Sequence, residues 1–477
     1  MTSKPTPKPG KQPDANPTET PAQPHLFSTR ARILIGQSRR KQLKRLAHAT
    51  WNPKDRRVSP QDLLKASTRG RLPSLVTLKN ERMACSPFAY FRGAAPVMAY
   101  DLSLLPNTGI INQICGDAHV RNLGAFAGPD GRLVFDINDF DETTLGPFEW
   151  DIKRLATSLI LAGREAGAGN SRCREAADTF LAQYRDMIHL FSRMPVLAVA
   201  RYQVHRLGEV GPISVILSAA ERSTPLHNLT TLTEPTPPAK SPRPGAPRNT
   251  PRNTPKSRIF KTAKPVLWRI TGPEAERVLA SLTPYADSLL PERRRLLSHY
   301  RALDVAFKVV GTGSVGLRDY CIYLEGNGRK DPLFLQIKEA VQSAYAPYRS
   351  EPALANQHQG RRVVEGERSM QIQSDPFLGW TTVLDADSTP RQFLVRQLND
   401  HKGSLDLTQL KPNGLMEYAR VCGEMLARGH ARAGDCALLA GYIGTSKRFD
   451  EAIARFAETY ADQTEKDWQH HVKSLKK

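Results

Sequence analysis

Between Ile114 and Asp151 the chain runs ICGDAHVRNLGAFAGPDGRLVFDINDFDETTLGPFEWD, and no other stretch sets so many carboxylates, an Asn and a His between apolar runs. The apolar run ending at Ile114 and Cys115 turns at Gly116 and Asp117, and Asn122 follows Asp117 by five residues. Gly128-Pro129-Asp130-Gly131 is a turn signal, because Pro presets one central φ and Gly accepts the left-handed region. Arg132 to Ile137 then reads as a short strand, with Asp139, Asp141 and Glu142 just beyond it. A tight loop carrying Asp and Asn, a hairpin and more Asp can converge on one point. Solvated acidic turns or a Ca²⁺ loop are the alternatives for such a segment.

Mg²⁺ takes hard oxygen ligands, usually one or two carboxylates with water and substrate phosphates. An Asp beside it can orient or deprotonate a hydroxyl. Protein kinases combine an Asp base, an Asn five residues on and a later metal-binding Asp. GDAHVRN resembles the G-D-x-x-x-x-N loop of aminoglycoside and choline phosphotransferases, which share the kinase fold. The step from Asp139 to Asp151, where W-D-I-K-R-L-A resembles a helix start, has the spacing of those relatives. The resemblance implies that Asp117 is the base, that Asn122 and Asp139 hold metal, and that Asp151 braces the loop. Asp141 or Asp136 would assist at the metal.

The chain has 477 residues, 40% of them hydrophobic, enough for a large core and about two to four domains. No apolar run approaches the roughly 18–20 residues of a membrane span, and no apolar segment marks a secretory signal. Six cysteines without a C-x-x-C pair argue against a zinc site or disulfide framework and fit reducing cytoplasm. The net charge of +21 favours anionic partners without choosing among nucleotides, phosphorylated substrates, acidic lipid or nucleic acid. Nucleic-acid contact through basic tails is open but not favoured, because much of the charge lies in segments that read as disordered.

Residues 1–27 are Pro-, Thr- and Lys-rich and cannot repay ordering entropy. Residues 28–223 read as a helical lobe carrying the acidic loop. It begins with a basic helix pattern from Arg30 to Trp51, and Arg82 and Arg92 lie ahead of the acidic stretch. An Arg beside such a loop is a candidate carboxylate or phosphate clamp, or else a structural ion pair. Residues 224–264 read as a disordered Pro-rich insertion, with the near repeat PRNTPRNTPK.

Residues 265–400 carry the second informative stretch, VAFKVVGTGSVGLRDYCIYLEGNGRKDPLFLQIKEAV. A strand leads into Gly311, Gly313, Ser314 and Gly316. A second strand (320–324), a turn at Gly326-Asn327-Gly328 and a third strand ending at Lys338 follow. A dinucleotide fold needs a helix straight after the glycines, and no G-K-[ST] marks a Walker loop. Strand, glycine loop, strand, turn, strand and Lys is the order of a kinase small lobe, where glycines cover phosphates and the Lys pairs with them. By the same resemblance a Glu on the helix over 360–373 should pair with Lys338; Glu365 is favoured over Glu367. Gln397, in the second of two further strands (377–380 and 392–398), would be the hinge beside the base. Residues 401–477 read as helices completing the helical lobe, beginning with an amphipathic helix from Leu415 to His430.

The two kinase-like parts stand in reverse order, which circular permutation explains; permutation is tolerated where termini lie close together at the surface. Together SPFAYFRGAAPVMAYDL, CGDAHVRNLGAF, VGTGSVGLRDYCIYLEG, LQIKEA, RRVVEGERSMQ and ARGHARAGD resemble the bacterial domain of unknown function 2252 family, over roughly residues 35–465. The expectation is an α+β, two-lobed, protein-kinase-like, circularly permuted fold. A small antiparallel-sheet lobe and a mostly helical lobe would bind ATP and Mg²⁺ and phosphorylate a hydroxyl acceptor. A metal-dependent hydrolase or nuclease, or a catalytically silent nucleotide-binding module, are the alternatives.

Overall fold

The computed structural model describes residues 27–204, 207–237, 258–349, 357–398, 401–410 and 412–476. The tail expected over 1–27 lies almost wholly outside them. The fold is α+β. Among the described residues the strands are β1 (Ile111–Ile114), β2 (Leu123–Ala127), β3 (Leu133–Ile137), β4 (Thr144–Pro147), β5 (Thr233–Pro235), β6 (Arg258–Phe260), β7 (Leu267–Ile270), β8 (Arg301–Lys308), β9 (Asp319–Glu325), β10 (Pro332–Glu339), β11 (Gly379–Leu384), β12 (Pro390–Gln397) and β13 (Gly403–Ser404).

One core is helical. The helix Glu149–Glu165 is buried from Glu149 to Gly163, and Glu149 and Asp151 place negative charge at its N-terminus, where the helix dipole favours it. Leu155, Leu159, Phe180, Tyr184, Tyr418, Met425 and Ile453 pack together where this helix meets Asn170–Phe191, Pro412–Ala433 and Arg448–Ser474. The amphipathic pattern expected over 415–430 is the middle of the third of these helices. No described helix is long and apolar enough to cross a membrane, and all six cysteines are free thiols.

The second core belongs to a six-stranded antiparallel sheet in the order β11-β12-β10-β9-β8-β7. Side chains alternate across a sheet. In β10, Leu333, Leu335 and Ile337 join the core that includes Val278 and Tyr285, so Phe334, Gln336 and Lys338 face the other way. Lys338 stands opposite Asp319 in β9 and Leu394 in β12. The helix Gln359–Met370 connects β10 to β11.

The Pro-rich insertion differs from expectation at both ends. Residues 225–232 form a helix, and β5 pairs with β6. Leu229 and Phe260 bury themselves against Phe334, Tyr323 and Leu398, and that apolar contact orders them. Residues 238–257, which hold the basic repeat, lie outside the described residues.

Candidate functional site

The acidic loop is built from two close approaches. Gly116 has φ +78°, and a Cβ there would stand 2.2 Å from the Glu142 carbonyl oxygen, so only glycine lets the two halves of the loop touch. Asp151, at the start of its helix, accepts the backbone N–H groups of Cys115 (2.8 Å) and Gly116 (2.9 Å). His430, at the end of Pro412–Ala433, holds Asp151 from behind: its Nε2 is 3.3 Å from Asp151 Oδ2 and its Nδ1 is 2.7 Å from the Tyr184 hydroxyl. Asn112 Nδ2 also donates to the His430 carbonyl.

Asp117 projects from this braced turn. Its Oδ1 accepts from Arg154 Nε at 2.7 Å and Nη2 at 2.5 Å, while Oδ2 lies 3.8 Å from His119 Nε2. Burial pushes the Asp117 carboxyl up, and Arg154 offsets only part of that. Burial and the neighbouring Arg92, Arg154 and Arg121 hold His119 well below its ordinary value, so the ring is neutral at pH 7. Asn122 Nδ2 donates to the Asp117 carbonyl at 2.8 Å, and no described residue donates to its amide oxygen, which stays available to a cation.

Lys338 crosses to the same loop. Its ammonium is 2.5 Å from Asp141 Oδ2 and 3.6 Å from Asp139 Oδ1, with the lysine side chain almost wholly buried. Burial works against its charge, but Asp139 and Asp141 outweigh it and raise its pKa. Burial raises Asp141 further, with Asp139 beside it, whereas Lys338, Arg396 and Lys402 overcome the same burial at Asp139 and lower it. Asp139 is therefore the more acidic of the two. Asp136 is not at this point: it is buried, faces Arg428, and accepts the N–H groups of Ile137 and Ile372.

The glycine loop meets these residues in one cleft. Gly311, Thr312, Gly313 and Ser314 line it together with Asp117, Asn122, Asp139 and Asp141. Arg82 donates to the Gly311 carbonyl and Arg71 to that of Val315, while Ser314 Oγ donates to Val310. Gly316 does not line the cleft; its carbonyl accepts from Leu72 N and its Cα packs on the Arg71 side chain.

Two expected residues lie elsewhere. Glu365 does not pair with Lys338: it is exposed, one helical turn from Arg361, and bonds to that side chain at 2.7 Å. The helix turns it outward because Val363, Val364 and Glu367 take the inward positions. Gln397 lies on a second pocket with Glu367, Arg396 and Lys402, and its backbone N–H donates to Asp375.

Residues not singled out in the sequence complete the site. Arg154 follows Asp151 by three residues on a helix, the spacing that puts both on one face. Lys79 lies between Leu75 and Met83 at four-residue steps, a pattern that marks it as inward-facing. Among the described residues no group of three or more His, Cys, Asp or Glu is placed to hold a metal ion. One carboxylate and one amide oxygen, Asp139 and Asn122, suit a cation that takes its remaining ligands from phosphates and water.

The family described as "Uncharacterized protein conserved in bacteria (DUF2252)" covers residues 71–474. No curated protein and no solved structure matches the chain.

Proposed function

From the premise that the chain belongs to the DUF2252 family, we propose that it is an ATP- and Mg²⁺-dependent phosphotransferase acting on a hydroxyl acceptor. Its architecture would be a circularly permuted kinase-like one. The observation that carries this is the contact of Lys338 with Asp139 and Asp141, two carboxylates that line one cleft with the glycine loop, across some two hundred residues of chain. The order strand, glycine loop, strand, turn, strand with Lys, helix and two strands in β8–β12 supports it. So does the permutation geometry, because the helix ending near His430 lies against the base of the acidic loop.

In this reading the backbone of Gly311–Ser314 faces the triphosphate, and glycines let N–H groups approach it closely. Lys338 neutralises phosphate charge. Asn122 and Asp139 would hold Mg²⁺, with Asp141 beside them; the ion supplies charge neutralisation for the transferring group. Arg154 occupies Asp117 Oδ1 and fixes the side chain, which leaves Oδ2 to accept the acceptor's hydroxyl proton. His119, neutral, keeps a second positive charge away from that oxygen.

Asp117→Asn tests the assignment. Phosphate transfer or ATP turnover should fall about 10³-fold or more while MgATP affinity stays within about threefold, since the interaction lost is made in the transition state. Turnover at the wild-type rate would remove Asp117 from the chemistry.

A further inference from the structure

The cleft has a wall that the donor phosphates do not explain. It comes from the helices Pro73–Ala84 and Pro87–Gly93 and carries Lys79 and Arg92. Lys79 is 2% exposed. Its ammonium reaches only the Gly93 carbonyl at 3.4 Å and Met83 Sδ at 3.6 Å, and no described carboxylate lies within ion-pair distance. Burial, with Arg71 nearby, pushes Lys79 down to about 7. Arg92 Nε is buried without a partner, and Arg92 makes no ion pair among the described residues. Burial and Arg121 push it down to about 10, although Asp117 and Asp139 are near enough to act against that.

A buried cation without a counter-charge is expensive, and folded chains usually pair it or neutralise it. The two buried cations that reach the cleft's carboxylates obey that rule: Arg154 sits on Asp117 and Lys338 on Asp141. Lys79 and Arg92 have no such partner in the protein, and the space in front of them is the cleft. Two cations lining one cleft with donors to spare are the chemistry that recognises an oxyanion. Their two helices touch the glycine loop, through Arg82 on the Gly311 carbonyl and the Arg92 carbonyl beside Gly313, and share the cleft with Asp117.

We propose that Lys79 and Arg92 form an oxyanion subsite for the acceptor, which is therefore a small hydroxy compound bearing a phosphate or carboxylate group. The assignment to the acceptor rests on the phosphotransfer reading above. With the oxyanion held there, the hydroxyl faces Asp117 Oδ2. The hydroxyl oxygen bonds to the terminal phosphorus of the nucleoside triphosphate, the bond to the bridging oxygen breaks, and the diphosphate leaves with that electron pair. The hydroxyl proton passes to Asp117.

Calorimetric titration of the full chain with inorganic phosphate and, separately, malonate at pH 8 tests this without nucleotide. The tighter probe assigns the oxyanion class. Affinity should fall roughly tenfold or more in both Lys79→Met and Arg92→Gln, the loss expected for one charge-assisted contact. It should stay within about twofold in Lys338→Met. Binding to the wild type should take up a proton, read from buffers of different ionisation enthalpy, because an oxyanion draws the proton back onto Lys79. Lys79→Met should abolish that uptake, which loss of a merely structural lysine would not do. No binding of either probe, or binding unchanged in both wall variants, overturns the subsite. Loss in Lys338→Met alone also overturns it, placing the anion with the donor while leaving the phosphotransfer reading intact. If the wall variants behave as expected but MgATP never binds, the oxyanion site stands and the phosphotransfer reading, with the acceptor assignment, falls.

Discussion

Buried charge is handled in two ways in this molecule. Where the chain near Arg56 is fastened to the helix Arg448–Ser474, every partner is present. Arg56 grips Asp101 through Nε (2.8 Å) and Nη2 (2.6 Å) and reaches Asp467 through Nη1 (2.8 Å). The Tyr460 hydroxyl adds a further bond to Asp101, and Gln463 one to Asp467. On the cleft wall, Lys79 is buried and Arg92 half-buried, with almost nothing opposite them. The first cluster is complete without a ligand, and the second is not. The contrast separates charges that hold the fold from charges that wait for something to bind.

Removing a partner should therefore act in opposite directions in the two places. The largest effect belongs to Asp101→Ala, which takes two of the three carboxylate contacts of Arg56 and the acceptor of the Tyr460 hydroxyl; urea denaturation should show a loss of about 3–5 kcal/mol. A gain, or no change, would erase the distinction. Glu367 is an intermediate case, a buried carboxylate near Arg396 with Oε2 unpartnered, and burial pushes it up to about 7. A carboxyl raised in the folded state favours folding below its unfolded pKa and loses that contribution as pH rises through 7. Glu367→Gln should accordingly stabilise the protein by about 3 kcal/mol at pH 8 and by almost nothing near pH 4.

Lys79→Met keeps the packing and discards the charge, so it should stabilise the ligand-free protein by about 2 kcal/mol at pH 6. Because the folded amine titrates near 7 and the unfolded one near 10.5, the gain should shrink as pH rises between those values. A destabilised Lys79→Met at pH 6 would mean that the lysine is structural after all. The smallest effect belongs to Glu365→Gln, which touches an exposed pair one turn apart. Stability should move by less than about 0.5 kcal/mol, and MgATP affinity should not move at all.

The sequence was legible where side-chain chemistry and chain direction agree. The glycine-rich turn before β9, the hairpin of β2 and β3, and the helix over 359–370 follow from local signals that packing did not overrule. That Lys338 faces inward was readable from the apolar run ahead of it, but its partners Asp139 and Asp141 lie about two hundred residues away, and no local pattern sets such a distance. Glu365 and Glu367 sit two residues apart and so on opposite faces of one helix, and the rotation of the helix decides which is buried. Only the contacts of Val363 and Val364 fix that rotation. The ends of the Pro-rich insertion misled because composition reports an average, whereas Leu229 and Phe260 alone suffice to anchor them. Lys79 went unnoticed because a lysine between apolar residues is usually read by its charge rather than by its helical phase.

The central claim is that one triphosphate joins the glycine loop, Lys338 and the acidic loop. Thermal unfolding of wild type and Lys338→Met, each with and without Mg²⁺ and ATP, addresses it most directly. The account predicts that MgATP raises the wild-type midpoint, that ATP without Mg²⁺ raises it less, and that Lys338→Met loses most of the rise. An equal rise in both proteins, or no rise in the wild type, would contradict it.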